Sequence, residues 1–423
     1  MKPNAEQISQ ISAAFRSMQT KEDLLHILNV AKQIIYGHKA TNFKLANISF
    51  YADHRISKNR YATFLVPKKR GGTRTIHAPV PGLKAILRCL NFVLLCVYDG
   101  QYEDNAMGFI PGRSIKDNAG RHIGKRFVFN IDLKDFFPSI DLYRVKTIFQ
   151  LPPFSLTDQQ EPMAYLLASL CCEVIEVERK EATGNFTKKS AAVLPQGAPT
   201  SPSITNFIAR KMDRRLKGAA KRFGVTYTRY ADDITFSSNH HLYQNDSEFI
   251  LEVRKIITEQ GFVINESKVR LQQSDFRQEV TGLIVNEHPN VHSKYVKQIR
   301  QWMYLWETYG YEKATVCFNR DYSCKAVQKQ SIIPPLDRVL EGKLKYMRMI
   351  VGENHATWQK LNARFILLTS DRIIEKIDLP DLNEELESLF VDVRNDIDEY
   401  IAAVQQYQII TQEHSADDKQ TIG

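Results

Sequence analysis

The alternation of apolar and polar positions divides the chain into a helical start, a mixed middle and a helical end. Over residues 1–50, Leu24, Leu25, Ile27, Leu28 and Ala31 recur at helical spacing. Tyr61 to Pro67 and Thr73 to His77 read as strands around Lys68-Lys69-Arg70-Gly71-Gly72, which predicts a hairpin with a cationic tip. Leu83 to Tyr98 predicts a helix, Gly108 to Ser114 a loop, and Asn118 to His122 a short helix. Phe127-Val128-Phe129-Asn130-Ile131-Asp132 is a β-rich run that ends on an acid. Leu142 to Phe149, Met163 to Val174, Ser201 to Lys221 and Glu248 to Gln260 have helical character. Ile175 to Leu194 reads as a surface hairpin, Tyr227 to Ser237 as another hairpin, and Val280 to Val285 as a strand. Helices dominate beyond Lys294, and the sequence has no internal repeat or low-complexity segment.

Candidate chemistry sits at two of the strand ends. In Thr226 to Phe236, β-branched and aromatic residues flank Asp232 and Asp233, so the two acids fall at a turn between strands. Adjacent carboxylates repel and call for a cation, although the pair alone equally suits an ordinary Asp-containing turn. Asp132 changes that balance. If its strand neighbours the hairpin, three carboxylates meet at one sheet edge and form a hard-oxygen site suited to Mg²⁺. Two such ions about 4 Å apart can activate a primer 3′-hydroxyl and steady a leaving pyrophosphate. Nucleotidyl transfer rests mostly on positioning and charge neutralisation, so this equipment suffices.

Composition narrows the partners. The chain has 423 residues, 43% of them hydrophobic, which implies a folded protein of two or three domains. No apolar run reaches the roughly 18 residues of a membrane span. The first residues lack the apolar core of a secretion signal, so the expected location is the cytoplasm, with no membrane partner. Cys171 and Cys172 adjoin within an apolar run and suit buried thiols; a zinc site using Cys317 and Cys324 stays open. The net charge is +9, unevenly spread. Residues 371–423 hold 14 acids against four basic residues, a balance of −10, which leaves +19 on residues 1–370. A basic body of that size points to a polyanionic partner.

The motifs together resemble the reverse transcriptases. Tyr230-Ala231-Asp232-Asp233 is similar to the family's signature of an aromatic residue, any residue and two aspartates. Asn130 to Ser139 resembles the preceding metal-binding motif, and Leu194-Pro195-Gln196-Gly197-Ala198-Pro199-Thr200-Ser201-Pro202 the motif between them. The match runs from about Tyr61 to Gly342. It implies an α+β right-hand polymerase of fingers, palm and thumb, with a helical C-terminal extension. The domains would be N-terminal helices and fingers over 1–125, palm over 126–290 with a fingers insertion at about 142–193, helical thumb over 291–370, and an acidic helical extension over 371–423.

By resemblance, Asp132 and Asp232 ligate two Mg²⁺ ions (Mn²⁺ being an alternative) with help from the Leu133 carbonyl, and Asp233 is the third carboxylate. Phe137 falls where the family keeps a bulky residue under the sugar, excluding a 2′-hydroxyl; plain core packing is the other reading, which Phe136 can serve. Gln196 and Gly197 would lie beside the incoming dNTP, where a small Gly lets backbone approach the substrate. Lys68 and Arg74 would hold its triphosphate. Lys268 matches a lysine thought to protonate pyrophosphate, or is a solvated surface lysine.

Asn118-Ala119-Gly120-Arg121-His122 and Val280-Thr281-Gly282 are similar to two motifs of bacterial retron-type enzymes, with His122 read as a structural histidine capping a helix. The added acidic tail resembles instead the defence-associated reverse transcriptases of bacteria, formerly called unknown groups. Nothing resembles an endonuclease module or a ribonuclease H domain. In the thumb region, Lys294, Lys297, Arg300, Lys343, Lys345 and Arg348 are interleaved with Tyr295, Trp302, Tyr304, Trp306 and Tyr346, a pattern suited to gripping RNA, or with the tryptophans serving as core. The expected partners are a structured non-coding RNA template, dNTPs and the cDNA product, with self-association through the extension as a further expectation. Three functional readings follow: a reverse transcriptase copying a companion RNA in phage defence, a retron enzyme making branched RNA-linked DNA, and an inactive RNA-binding scaffold.

Overall fold

The computed structural model describes residues 3–67, 71–180, 186–323 and 333–377. Lys68, Cys324 and nearly all of the acidic extension lie outside the described residues. The chain forms two compact units, Met1–Asn290 and Val291–Gly423.

The first unit opens with helices α1 (Ala5–Ser17), α2 (Lys21–Tyr36) and α3 (Leu45–Ala52). Asn4 and Thr20 cap the first two, each in a reciprocal bond with the residue three positions on. The hairpin of β1 (Tyr61–Pro67) and β2 (Thr73–Pro79) follows, then the apolar helix α4 (Pro81–Val97), which starts on a proline whose fixed φ suits a first turn. The helix read at Asn118–His122 is α5 (Ile115–Gly120), capped by Ser114. Next come β3 (Phe127–Lys134), α6 (Leu142–Gln150), α7 (Glu161–Cys171) and the hairpin of β4 (Glu173–Lys180) and β5 (Phe186–Val193). The unit closes with α8 (Ser201–Arg222), β6 (Thr226–Tyr230), β7 (Asp233–Ser238), α9 (Glu248–Glu259), β8 (Val263–Ile264), β9 (Arg270–Gln273), β10 (Glu279–Val280) and β11 (Leu283–Ile284).

Five of these strands make the central sheet, ordered β6-β7-β3-β8 with β9 also on β3. Its two faces differ. Phe129 pairs with Phe236 and Ile131 with Ile234; Phe236 packs edge-on against Phe249 of α9, and Tyr227 bonds Asp213 of α8. The helices therefore cover the face that carries these apolar side chains. Asp132, one residue out of phase, belongs to the opposite face. Val280–Val285 is not one strand: Thr281 and Gly282 have φ of 48° and 80° and turn the chain between two short strands. Cys89, Cys96, Cys171 and Cys172 are buried free thiols.

A polar cluster at β6 interrupts the apolar core. Arg229 of β6 is fully buried, and its guanidinium makes two bonds to Asp213 of α8, at 2.8 and 2.7 Å, one to Asn206 and one to the Ala231 carbonyl. Asp213 also accepts from the Tyr227 hydroxyl. A buried cation satisfied on this scale ties the helix layer to the strand that leads into the Asp232–Asp233 turn.

The second unit contains α10 (Ser293–Ser323), α11 (Leu336–Val351) and α12 (Ala356–Ile377), with α10 broken at Gly310, whose φ is 79°. Leu336, Leu340, Leu344, Met347 and Ile350 of α11 form one buried stripe at helical spacing. Trp302 and Trp306 are buried, so both tryptophans are core. No described helix is long and apolar enough to cross a membrane.

Removing Asp213 strands a buried guanidinium, so Asp213→Ala should lower folding stability by about 3–5 kcal/mol. Urea denaturation checks this; an unchanged midpoint would show that Arg229 finds other partners.

Candidate active site at the β3–β7 strand ends

The β3–β7 register sets Asp132 directly opposite Asp233. Tyr230 pairs with Asp233, which leaves Ala231 and Asp232 as a two-residue turn. Ala231 has a φ of 58° there, a left-handed conformation that disfavours larger branched side chains. The turn is braced from outside. Residues 105–107 run beside β6, with the Arg229 N–H donating to the Asn105 carbonyl and the Met107 N–H to the Arg229 carbonyl. A Cβ on Gly108 would lie 2.5 Å from the Ala231 nitrogen, so this position has room for glycine alone.

Asp132 is buried and fully engaged. Its carboxylate accepts from Asn265 Nδ2 at 3.0 Å and from Lys268 Nζ at 2.8 and 2.9 Å, and its carbonyl accepts from the Asn265 N–H. The Leu133 N–H donates to the Asp232 carbonyl. Burial, then repulsion from Asp132, pushes Asp232 above the usual carboxylate range, with Lys268 and Arg74 pulling the other way. Asp233 rises to about 6; partial enclosure by protein is the main cause, followed by Asp232 and Asp132, even though its outer edge meets solvent. The three carboxylates thus lie within electrostatic reach of one another and of Lys268, Arg74 and Arg270.

The donor set is hard oxygen and suits a divalent cation in chemistry. Among the described residues, however, no group of three or more His, Cys, Asp or Glu side chains is already drawn together as a metal cage. The Lys268 ammonium occupies both oxygens of Asp132 instead.

The other expected residues fall around this centre. Arg74 is exposed on β2 and electrostatically felt by Asp232. Phe136 is buried against Phe262, whereas Phe137 is only half-buried, its ring 6.3 Å from that of Phe109. Gln196 accepts from the His77 N–H at 2.8 Å. Gly197 has a φ of 131°, and a Cβ there would lie 2.5 Å from the His77 carbonyl. Its small size is required by the backbone of β2.

Of the basic residues expected to grip RNA, Lys294, Lys297 and Arg300 are exposed on α10. Lys343 bonds Gln298 and lies over the Tyr295 ring, Lys345 pairs with Glu341, and Arg348 pairs with Glu353.

Two residues gain roles that the sequence did not assign. Asn265 orients Asp132. His122 does not cap a helix: its ring is fully buried against β6 and β7, 2.7 Å from Ser237 Oγ of β7 and 2.7 Å from Thr228 Oγ1 of β6. Burial pushes the imidazole down to about 3, so it is neutral and can donate from one nitrogen while accepting at the other. Asn118, from the same motif, reaches Thr281 Oγ1 at 3.4 Å, so the two retron-like motifs touch.

The Asp233 shift has a definite sign. Its folded pKa of about 6 exceeds the ordinary 3.8, so ionisation penalises the folded state as pH rises between those values. Asp233→Asn should raise the metal-free melting temperature above about pH 7, with the gain vanishing near pH 4. Thermal denaturation at both pH values in chelator checks this; a pH-independent difference would contradict it.

A family model described as reverse transcriptase (RNA-dependent DNA polymerase) matches residues 66–285. The Retron Mx65 reverse transcriptase of Myxococcus xanthus is 40% identical over 244 residues, 56% of this chain and 54% of that protein. The Retron Mx162 reverse transcriptase of the same organism is 38% identical over 261 residues, 59% of this chain and 52% of that one. The Retron Ec86 reverse transcriptase of Escherichia coli is 32% identical over 235 residues, 54% of this chain and 64% of that one. The chain thus spans about half the length of the two Myxococcus relatives. The family match covers more than half of the chain and contains Asp132, Asp232 and Asp233, and on that ground the chain belongs to the reverse transcriptase family.

Proposed function

We propose that this protein is an RNA-directed DNA polymerase that copies a structured companion RNA into cDNA. The observation that carries the reading is the pairing of Asp132 with Asp233 beside Asp232, three carboxylates at the mouth of a sheet whose other face is sealed by helices. Asp132, Asp232 and Asp233, with the Leu133 carbonyl, would hold divalent cations, Mg²⁺ in the first instance and Mn²⁺ as an alternative. Those ions, when bound, neutralise phosphate charge and lower the pKa of the attacking hydroxyl.

The chain's own residues do the rest. Asn265 holds the Asp132 carboxylate in orientation. Lys268 must leave Asp132 for a cation to arrive, which frees an ammonium within reach of the departing phosphates. Arg74, with Lys68, supplies charge for the triphosphate. Phe137, left half-buried because Phe136 fills the core, offers a ring edge against a ribose 2′-hydroxyl. Gln196 and Gly197, tied to β2, line the nucleotide side. Lys294, Lys297 and Arg300 are the best placed of the six thumb cations to meet RNA phosphates, having no ion pair among the described residues.

Antiviral defence is the biological setting we infer, and self-association through residues 371–423 is part of the same reading. A second reading is favoured by the relatives that bear the retron name: the product would be a short branched RNA-linked DNA. Sequencing nucleic acid that co-purifies with the protein separates the two, since a branch appears only in the second.

With Mg²⁺, dNTPs and a primed RNA template, the protein should make ribonuclease-resistant DNA. Asp232→Ala should reduce the rate by about 10³-fold or more, the several kcal/mol that metal charge stabilisation supplies. Product at the wild-type rate would remove Asp232 from the site. Phe137→Ala should raise ribonucleotide incorporation at least about tenfold relative to dNTPs; an unchanged ratio would remove Phe137 from sugar selection.

A further inference from the structure

A groove of about 890 Å³ lies between α6 and α8. Its floor includes Tyr98 and Phe207, and its α6 rim follows positions 144, 147, 148 and 151, the spacing of one helical face. The opposite rim carries Arg210, Lys211, Arg214 and Arg215, and Arg144 adds a fifth cation. Asp141 is the one acid among the lining residues, and its carboxylate caps the first turn of α6.

The groove is remote from the carboxylate centre in a specific sense. α8 packs on the sheet face that carries Tyr227 and Phe236, opposite in phase to Asp132 and Asp233. Nothing in the polymerase reading uses this side.

Part of the positive charge is already met. Arg215 pairs with Glu259, and Arg210 with Glu103 at 3.5 Å. Among the described residues Arg214 pairs only with the same Glu103, at 3.9 Å, and its side chain is 69% exposed. Lys211 is exposed and has no ion pair among the described residues. On the α6 side of the groove Tyr143 stands 72% exposed and Leu151 49% exposed. Unmet cations over an apolar floor, with an exposed aromatic ring at the rim, match a sugar–phosphate backbone that also presents bases.

We propose that this groove is a second RNA-binding surface, on the helical side of the sheet, where phosphates meet Lys211 and Arg214 and an unpaired base or ribose packs by Tyr143. The inference rests on the reading of the protein as an RNA-copying polymerase and names where RNA beyond the copied stretch is held. RNA is favoured over an acidic peptide because the cations of one rim face an exposed aromatic ring on the other, and because RNA is the polyanion that the proposed chemistry already requires.

The test compares Lys211→Ala/Arg214→Ala and a separate Tyr143→Ala with wild type, all as full chains. Fluorescence anisotropy would follow a labelled stem–loop RNA with a single-stranded extension across a salt series. Primer extension would use a short RNA–DNA duplex that fills only the catalytic cleft. The double variant should bind the stem–loop RNA about tenfold more weakly, with a salt slope smaller by between about 1 and 2 units, while extending the short duplex at the wild-type rate. Tyr143→Ala should weaken binding with no change of slope. Unchanged affinity and slope would overturn the proposal, as would equal losses on both substrates, or competition by an acidic polypeptide but not by RNA. Failure of the wild-type protein to extend the short duplex would instead count against the polymerase reading, which the binding data test separately.

Discussion

The antiparallel register of β3 and β7 is the constraint on which the rest depends. It places Asp132 across from Asp233, and the same alternation sends Phe129, Ile131, Ile234 and Phe236 into the helix layer. A slip of one residue would send Asp132 into that apolar layer. The apolar pairs pin that register, while the His122 bridge between Thr228 and Ser237 ties β7 to β6 and the Arg229–Asp213 cluster ties β6 to the helix layer behind the turn. Repulsion among the carboxylates is therefore held in check by contacts that the carboxylates do not themselves make.

Much of this was legible in the chain because it rests on periodicity. Tyr61–Pro67 is a strand with the bounds that the sequence suggested, and the long helix from Ser201 differs by one residue at its end. Asp132, Asp232 and Asp233 stood out because each sits at the end of a β-rich run. The rest depended on neighbours distant in sequence. Asn265 carries no sequence signal of its own and bonds a side chain 133 positions away. His122 had the signature of a short motif but no sign of the hydroxyls that would surround it. Gly197 could be marked as special, yet the backbone that crowds it, His77, belongs to another hairpin. Val280–Val285 misled because its apolar composition hid a Thr-Gly turn.

Charge shows the same division. Counting basic residues revealed a cationic body, but a count cannot tell a free cation from a paired one. Lys345 and Arg348 are matched by Glu341 and Glu353 within a helical turn or so, whereas Lys294, Lys297 and Arg300 are exposed. Surface pairs of that kind contribute little to stability; their effect is to decide where positive potential survives.

The lysine on Asp132 carries a consequence for loading. The Lys268 ammonium already neutralises that carboxylate, so under the proposed reading Lys268 would have to give up both oxygens before Asp132 could serve as a ligand. Such a pocket would behave as an ion exchanger with a tethered competitor, whose effective local concentration is fixed by its own backbone. Occupancy would then reflect a contest between two cations rather than the affinity of one, and any side chain that lengthens or shortens the tether would retune it without touching a ligand.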